Sequence, residues 1–284
     1  MKRTLYFPLM LMLLSLLVTL PAAGRSYQRI LRISDGKVIT FAQMIKDIKE
    51  ADLVFVGENH DNKRHHEAQL DVIKSLGETD TPVAIGLEMF RANNQQTLHE
   101  WVTGKVPLDD FLRTYYDNWN FPWPTYSAIF LYAKEHRIPL IGLNISRAIT
   151  QKVSEHGFAS LSPAERRELP PDISCDIDEQ YMDFIRRAYE AHAHAQNSKS
   201  FVRFCEAQML WDKTMAWHLM GFLKGNPDRT VVVLAGTGHA WKRGIPEQIR
   251  RQSNYNYKVI LPHIPGRIEQ GRITSHDADY ILLD

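Results

Sequence analysis

The stretch Leu53-Val54-Phe55-Val56-Gly57-Glu58-Asn59-His60 joins a short apolar run to a glycine and to proton-active side chains. Four consecutive apolar residues are typical of a strand that is buried on both faces, as in a parallel sheet. Similar apolar runs recur at 83–87, 140–143, 231–234 and 257–261, and segments of helical period separate them. This alternation predicts an α/β fold with a mainly parallel central sheet that is flanked by helices.

The ends of the chain and one long segment depart from this alternation. Asp35-Gly36 between two short apolar runs predicts a hairpin near the start, and 280–283 is a predicted last strand. The region of about 172–225 has no strand signal, follows Pro170-Pro171, and is predicted as a helical insertion that stands off the sheet. Residues 25–284 are therefore expected to form one domain that carries this insertion.

The N-terminal segment 1–24 has the features of an export signal peptide. Lys2 and Arg3 precede an almost wholly apolar run, and Ala22-Ala23-Gly24 offers small residues for cleavage. The run of roughly 16 residues is short for a membrane span, and an uncleaved N-terminal anchor is the alternative to a cleaved signal. No cysteine lies near this junction, so we expect a periplasmic or envelope-associated protein that is not lipidated at a lipobox cysteine.

Composition and charge narrow the classes of function. Hydrophobic residues make up 44% and charged residues 24% of the 284, as in ordinary soluble globular proteins. A formal net charge of +1 lacks the basic excess of nucleic-acid-binding proteins, so no nucleic acid is expected as a partner. Cys175 and Cys205 either pair after export or remain unrelated thiols, and their spacing leaves both open.

Polar side chains follow the predicted strands, where the carboxyl ends of parallel strands meet at one edge of a sheet. We therefore expect them to border a common crevice; they are Glu58, His60, Glu88, Asn144, Arg147 and His239. Gly57-x-x-His60 and Gly236-x-x-His239 share one pattern, in which the glycine is expected to turn the backbone sharply and direct the imidazole inward. Alternatively, these glycines are ordinary strand ends and the histidines cap helices.

The chemistry of this set leaves two interpretations open. Glu58, Glu88 and the two imidazoles supply the acid and base groups of a hydrolase. The trio His60, Glu88 and His239 also has the nitrogen and oxygen ligands of a divalent-metal site. By contrast, His65-His66 is expected at the surface, because adjacent helical residues point in different directions and cannot chelate one ion.

Several motifs together resemble the ChaN-type haem-binding proteins. They are Gly57-Glu58-Asn59-His60, Gly86-Leu87-Glu88, Trp123-Pro124-x-Tyr126, Asn144-x-x-Arg147, Gln208-x-x-x-Asp212-x-x-Met215-Ala216, Ala235-Gly236-x-Gly238-His239 and Gly244-Ile245-Pro246. The resemblance covers roughly residues 40–262 in order. This family is similar to a wider superfamily that includes Tiki-type metalloproteases and erythromycin esterases.

The resemblance implies a bacterial, iron-regulated envelope protein that handles haem and works with an outer-membrane haem uptake system. In the family, two protomers enclose a pair of face-to-face haems. A tyrosine of one protomer ligates each iron, and a histidine and a lysine of the other hold the propionates. A homodimer that forms on haem binding is therefore expected here as well.

The insertion is expected to hold the haem residues. Tyr181 is the first candidate for the iron ligand, and Tyr126 of the Trp-Pro-x-Tyr motif is the second. His192, His194 and Lys199 are the candidates for the propionates. The alternative for this segment is an amphipathic helix with solvated histidines. The leading function is thus non-enzymatic haem binding, and the alternative is a hydrolase that uses Glu58, His60, Glu88 and His239.

Overall fold

The structure is a computed structural model that describes residues 26–79, 81–171, 173–175, 181–182, 185–186 and 198–283, of which 198–200 are described by their backbone alone. The predicted signal peptide and the candidates His192 and His194 lie outside these residues. Within the described ranges, no helix has both the length and the apolarity required to cross a membrane.

An eight-stranded sheet has the order β2-β1-β8-β7-β3-β6-β4-β5. Its strands are β1 Arg29–Arg32, β2 Lys37–Thr40, β3 Leu53–Glu58, β4 Val83–Arg91, β5 Leu140–Asn144, β6 Thr230–Gly236, β7 Tyr257–Pro262 and β8 Tyr280–Leu283. The strands from β8 to β5 pair in parallel, and only the β1–β2 hairpin adds antiparallel pairs at one edge. The predicted mainly parallel sheet is confirmed.

Helices cover both faces of this sheet. They are α1 Phe41–Ile48, α2 Lys63–Gly77, α3 Gln95–Val102, α4 Leu108–Asn118, α5 Trp123–Glu135, α6 Arg147–His156, α7 Pro163–Arg167, α8 Ser198–Gly225, α9 Thr237–Ala240 and α10 Ile245–Gln252. Because successive strand residues point to opposite faces, Val54 packs with helices α1 to α5, whereas Phe55 packs with α8 to α10. Burial on both faces explains the continuous apolar runs.

The predicted insertion stands off the sheet for only part of its length. In α8, Met215, Leu219 and Leu223 are buried against the strands. The first half of α8 packs instead with α6 and with Tyr181, through a separate apolar cluster. The expectation of a freestanding segment is therefore wrong for the second half of α8, because its apolar residues cover a sheet face that would otherwise be exposed.

A disulfide joins Cys175 to Cys205, with the two Cα atoms 6.4 Å apart. Cys205 lies in the first half of α8, three residues before Gln208 and seven before Asp212. The bond therefore ties the segment that leads to Tyr181 to the helix that carries Asp212. The sequence left this pairing open, and the structure decides it.

Candidate functional site

Three neighbouring strands build the site. Strand β6 lies between β3 and β4, so residues at their carboxyl ends become neighbours despite their separation in sequence. His60 follows β3, His239 lies in the short helix after β6, and Glu88 lies within β4. The predicted convergence of these side chains is confirmed, although β4 continues past Glu88 to Arg91.

The two glycines permit close packing rather than sharp turns. Neither Gly57 nor Gly236 has a positive φ. A Cβ atom at Gly57 would lie 2.7 Å from Leu261 Cδ2, and one at Gly236 would lie 3.1 Å from His60 Cε1. The predicted backbone turn is therefore wrong. The glycines instead leave room for the Leu261 side chain and the His60 imidazole, which pack closely against the backbone.

The first half of the site is a histidine–carboxylate pair. His60 Nδ1 lies 2.7 Å from Glu58 Oε1, and Tyr126 donates its hydroxyl to the same oxygen at 2.6 Å. Burial of Glu58 would raise its carboxyl pKa, but His60 and His66 outweigh burial and lower that pKa to about 2. Burial alone would lower the pKa of His60, whereas Glu58 and Glu88 raise it above its usual value.

The expectation that His65-His66 lies at the surface is wrong. Both residues are buried, although they point in different directions as expected for neighbours on a helix. His65 Nδ1 accepts a hydrogen bond from the Asn59 backbone N–H at 2.9 Å. His66 Nε2 lies 2.9 Å from Glu58 Oε2, off the direction of a good hydrogen bond. Together they fix the loop that presents His60.

The second half of the site is another histidine–carboxylate pair, which the sequence analysis did not propose. His239 Nδ1 lies 2.6 Å from Asp212 Oδ1, and Tyr181 donates its hydroxyl to Asp212 Oδ2 at 2.6 Å. Burial alone would lower the pKa of His239, but the charges of Asp212 and Glu88 raise it to about 9. His239 is therefore an imidazolium at neutral pH.

Glu88 lies between the two imidazoles. Its Oε1 is 3.9 Å from His60 Nε2 and 3.9 Å from His239 Nε2. Its other oxygen accepts a hydrogen bond from the Gly236 backbone N–H at 2.6 Å. Each Nδ1 is thus held by a buried carboxylate, while each Nε2 and one Glu88 oxygen meet at the crevice.

A cavity of about 550 Å³ opens above this floor. Its apolar lining includes Phe121, Ile185, Phe204 and Trp211, and Arg267 borders it from the loop after β7. The floor supplies hydrogen-bond donors and one carboxylate, while the wall supplies aromatic surface. This combination is typical of a small-molecule site.

The predicted divalent-metal site is not found. In the part of the chain that the structure describes, no group of three or more His, Cys, Asp or Glu residues is arranged to hold a metal ion. Both Nε2 atoms lie 3.9 Å from Glu88 Oε1, and the other three polar atoms of the trio already have partners. The described geometry thus gives no support to the predicted metal site.

Asn144 and Arg147 lie beside the crevice rather than within it. The Asn144 side chain donates to the Glu88 backbone carbonyl at 2.8 Å and thereby holds β4 to β5. Arg147 is exposed and lines a neighbouring cavity of about 190 Å³ together with Asn144. Asn144 thus supports the strand that carries Glu88, and Arg147 lies outside the crevice.

Both candidate tyrosine ligands are buried and hydrogen-bonded. Tyr126 and Tyr181 each donate to a buried carboxylate, and burial raises the pKa of both phenols. Neither lines the 550 Å³ cavity. Lys199 lies in the first turn of α8, and its side chain is outside the described part of the chain. The assignment of haem-binding roles to these residues stays a prediction.

Asp212 and His66 are the residues that the sequence analysis missed. Gln208 and Asp212 are four apart on α8, so they share one helix face, and both approach His239 Nδ1. That spacing was a usable signal for Asp212. No local signal marked His66, because its partner Glu58 comes from the preceding strand.

Comparison with solved structures shows a shared fold. ChaN of Campylobacter jejuni, described with cofacial haem binding, superposes with a TM-score of 0.71 at 21% identity, covering 89% of this chain and 95% of that one. An erythromycin esterase, EreC, in its open conformation has a TM-score of 0.48 at 15% identity, covering 78% and 72%. No curated protein matches the chain significantly.

The sequence itself matches a family profile over most of its length. Residues 44–249 match the family described as haem-binding uptake, Tiki superfamily, ChaN. This range starts in α1, before the first buried strand, and ends in α10, so it contains every residue of the crevice floor. The chain belongs to the ChaN family of haem-binding uptake proteins.

Proposed function

We propose that this protein binds ferric haem and serves haem or iron acquisition in the bacterial envelope. The observation that carries the proposal is the family match over residues 44–249. The fold shared with Campylobacter ChaN, whose structure is described with cofacial haem, is compatible with it. Delivery of haem by an outer-membrane uptake system, and residence in the periplasm or envelope, are parts of the same proposal.

The described residues fit the chemistry of a haem in part. A haem needs an apolar wall for its ring, an axial ligand for its iron, and cations for its propionates. Phe121, Phe204 and Trp211 supply aromatic wall, and Arg267 supplies a cation. When bound, the haem would contribute a ferric iron that prefers a hard anionic ligand such as tyrosinate.

Tyr181 is the proposed iron ligand, and Tyr126 is the second candidate. Ligation by Tyr181 requires that its hydroxyl leave Asp212 and lose its proton. Tyr181 and Lys199 both belong to the predicted insertion, in which the disulfide ties the segment leading to Tyr181 to α8. Tyr126 lies in α5 beneath Glu58, and its release would expose a buried carboxylate.

The proposed haem-bound state is a homodimer. A flat apolar ring ligated from one side leaves its other face in water unless a second protomer or a second haem covers it. Binding that requires the dimer also stabilises the dimer. His192, His194 and Lys199 of the partner protomer are proposed to hold the propionates.

The test is titration of the purified protein with hemin, followed by its visible absorption spectrum. We expect a stoichiometric complex with the charge-transfer bands of tyrosinate ligation. Tyr181→Phe should lose these bands while the far-ultraviolet circular dichroism stays unchanged, and Tyr126→Phe should retain them. Sedimentation velocity at matched concentration should show a larger particle with hemin than without. Absence of hemin binding would refute the proposed function.

Ester hydrolysis is the second candidate function, and one observation favours it. Two histidine–carboxylate pairs direct their Nε2 atoms toward the Glu88 oxygen that lacks the backbone hydrogen bond. Glu88 is placed to take a proton from a water molecule, and the His239 imidazolium is placed to stabilise a developing oxyanion. Glu58 and Asp212 hold the imidazoles in orientation.

A panel of chromogenic esters tests this second function. We expect turnover that Glu88→Gln reduces by about 100-fold or more, since a positioned general base is worth about 10²–10⁴-fold. Arg113→Ala is the matched control, because Arg113 is exposed on α4 and pairs with Asp110. Turnover that is equal in Glu88→Gln and in the native protein would refute the candidate.

A further inference from the structure

The cavity above the two histidine–carboxylate pairs has an apolar wall and a polar floor, and its outer edge carries opposite charges. Asp61 and Arg267 both line the cavity, and both are exposed. The floor contributes the Glu88 carboxylate, whose Oε1 lies 3.9 Å from the Nε2 atoms of both His60 and His239. A ligand carboxylate that binds Arg267 at the edge avoids the Glu88 carboxylate.

Arg267 has no competing partner among the residues that the structure describes. No carboxylate or carbonyl there accepts a hydrogen bond or ion pair from its guanidinium. By contrast, the neighbouring loop arginine Arg272 reaches both Glu269 and the Gly266 carbonyl. A guanidinium presents several donors in a planar fork that matches a carboxylate. Arg267 is thus free to bind an incoming anion.

The backbone that carries Arg267 is held in place. Ile264 and Ile268 form an isolated antiparallel bridge, and Ile268 is buried. The Arg267 backbone N–H donates to the Ile264 carbonyl at 3.0 Å. Gly266 has a φ of +73°, which closes this tight loop. The guanidinium therefore projects from a fixed turn.

From this arrangement we propose that the crevice binds an elongated monocarboxylate with an aromatic or otherwise apolar body. Arg267 holds the carboxylate at the outer edge, and Phe121, Phe204 and Trp211 pack against the body. The far end of the ligand is a neutral hydrogen-bonding group that faces His60 and His239. The ligand would occupy the cavity whose aromatic wall and arginine are also offered to the proposed haem. It gives the ligand class of the haem-free crevice, for which hydrolysis is the second candidate.

The charge of the cavity favours a monocarboxylate over a phosphate ester. A dianion would meet Asp61 on the same edge and Glu88 on the floor, with a single arginine to compensate. The apolar wall also requires a ligand body without charge, because an unpaired charge against aromatic side chains loses its hydration. One carboxylate at the edge pairs with Arg267 and places no charge against the aromatic wall.

The experiment compares 2-naphthoate with 2-naphthamide, which have the same ring system but differ in charge. Isothermal titration calorimetry is run without hemin on the native protein and on Arg267→Ala, Arg267→Lys and Arg113→Ala. We expect the native protein to bind the naphthoate more tightly than the amide. Arg267→Ala should weaken naphthoate binding by about tenfold, or about 1.4 kcal/mol, because the hydrogen bonds of this exposed guanidinium to a charged group are lost. Its affinity for the amide should not change.

The controls separate this proposal from the others. Arg267→Lys should keep part of the preference, and Arg113→Ala should keep all of it. Equal affinity of the native protein for both probes, no binding of either, or undiminished naphthoate binding by Arg267→Ala would each overturn the proposal. Because hemin and turnover are absent from the experiment, none of these outcomes bears on haem binding, and a failure to bind hemin leaves the monocarboxylate site standing.

Discussion

Replacing Asp212 by Asn should remove the charge that keeps His239 protonated. Asp212 is fully buried, and its Oδ1 lies 2.6 Å from His239 Nδ1. Asn has the same shape and retains an oxygen for the Tyr181 hydroxyl, but its NH2 group then faces His239 Nδ1. The change therefore removes both the charge and the hydrogen-bond acceptor of the imidazolium. Glu88 remains, with Oε1 3.9 Å from His239 Nε2. Because burial lowers this pKa and only Glu88 then opposes burial, we expect the pKa of His239 to fall to its ordinary value or below it.

The magnitude follows from the raised pKa. His239 has a pKa of about 9 in the folded protein against an ordinary 6.5. Because one pKa unit corresponds to about 1.4 kcal/mol, protonation of His239 contributes about 3 kcal/mol to the free energy of unfolding. The folded value is the higher one, so this contribution is complete below pH 6.5 and is lost as the pH rises through 9.

Two measurements check this reasoning. Urea unfolding at pH 6 should show Asp212→Asn less stable than the native protein by about 2–3 kcal/mol, and the difference should shrink by pH 10. Titration of the His239 ring protons by NMR should give the pKa directly. Asp110→Asn, which changes an exposed carboxylate on α4, is the control. A native His239 that titrates near 6.5, or an unchanged value in Asp212→Asn, would refute the argument.

Two other predictions concern stability. Glu58→Gln should cost about 3 kcal/mol at pH 7, because the depressed carboxyl pKa of about 2 makes Glu58 stabilising above pH 4.5; this contribution is lost as the pH falls through 2. The native acid transition should therefore flatten in the variant, and a parallel pH profile would contradict the pairing. Replacing Cys175 and Cys205 by Ser should cost about 3–4 kcal/mol in urea unfolding, since the bond spans 30 positions. If reductant destabilises the double variant by an equal amount, the loss of the disulfide is not the cause.

The sheet could be predicted from the sequence because burial on both faces gives each strand a continuous apolar run of its own. Val54 and Phe55 face opposite layers of helices, and both are buried, so a continuous apolar run is the only pattern that serves both faces. The position of Glu88 followed from the same logic, since the residues after parallel strands meet at one edge. What could be predicted was thus what depends on local pattern and on strand direction.

The contacts of Asp212 and His66 were harder to predict because each contact joins two different elements. Asp212 comes from α8 and His239 from the short helix α9, and 27 positions separate them. His66 was expected at the surface because two adjacent helical histidines cannot chelate one ion, yet it is buried beside Glu58 of β3. Sequence periodicity identifies the apolar face of a helix. A histidine that is buried because it balances a buried carboxylate is a polar residue, so periodicity assigns it to the exposed face.

Tyr181 connects the proposed haem function to the crevice, and it cannot serve both in one arrangement. In the structure, its hydroxyl donates a hydrogen bond to Asp212 Oδ2 at 2.6 Å. A tyrosinate bound to iron has no proton to donate, and at that distance two anions would face each other in a buried site. Haem ligation by Tyr181 must therefore withdraw the side chain and leave Asp212 with His239 as its remaining partner. If another tyrosine ligates the iron, the Tyr181–Asp212 contact persists, and hemin leaves the pKa of His239 unchanged.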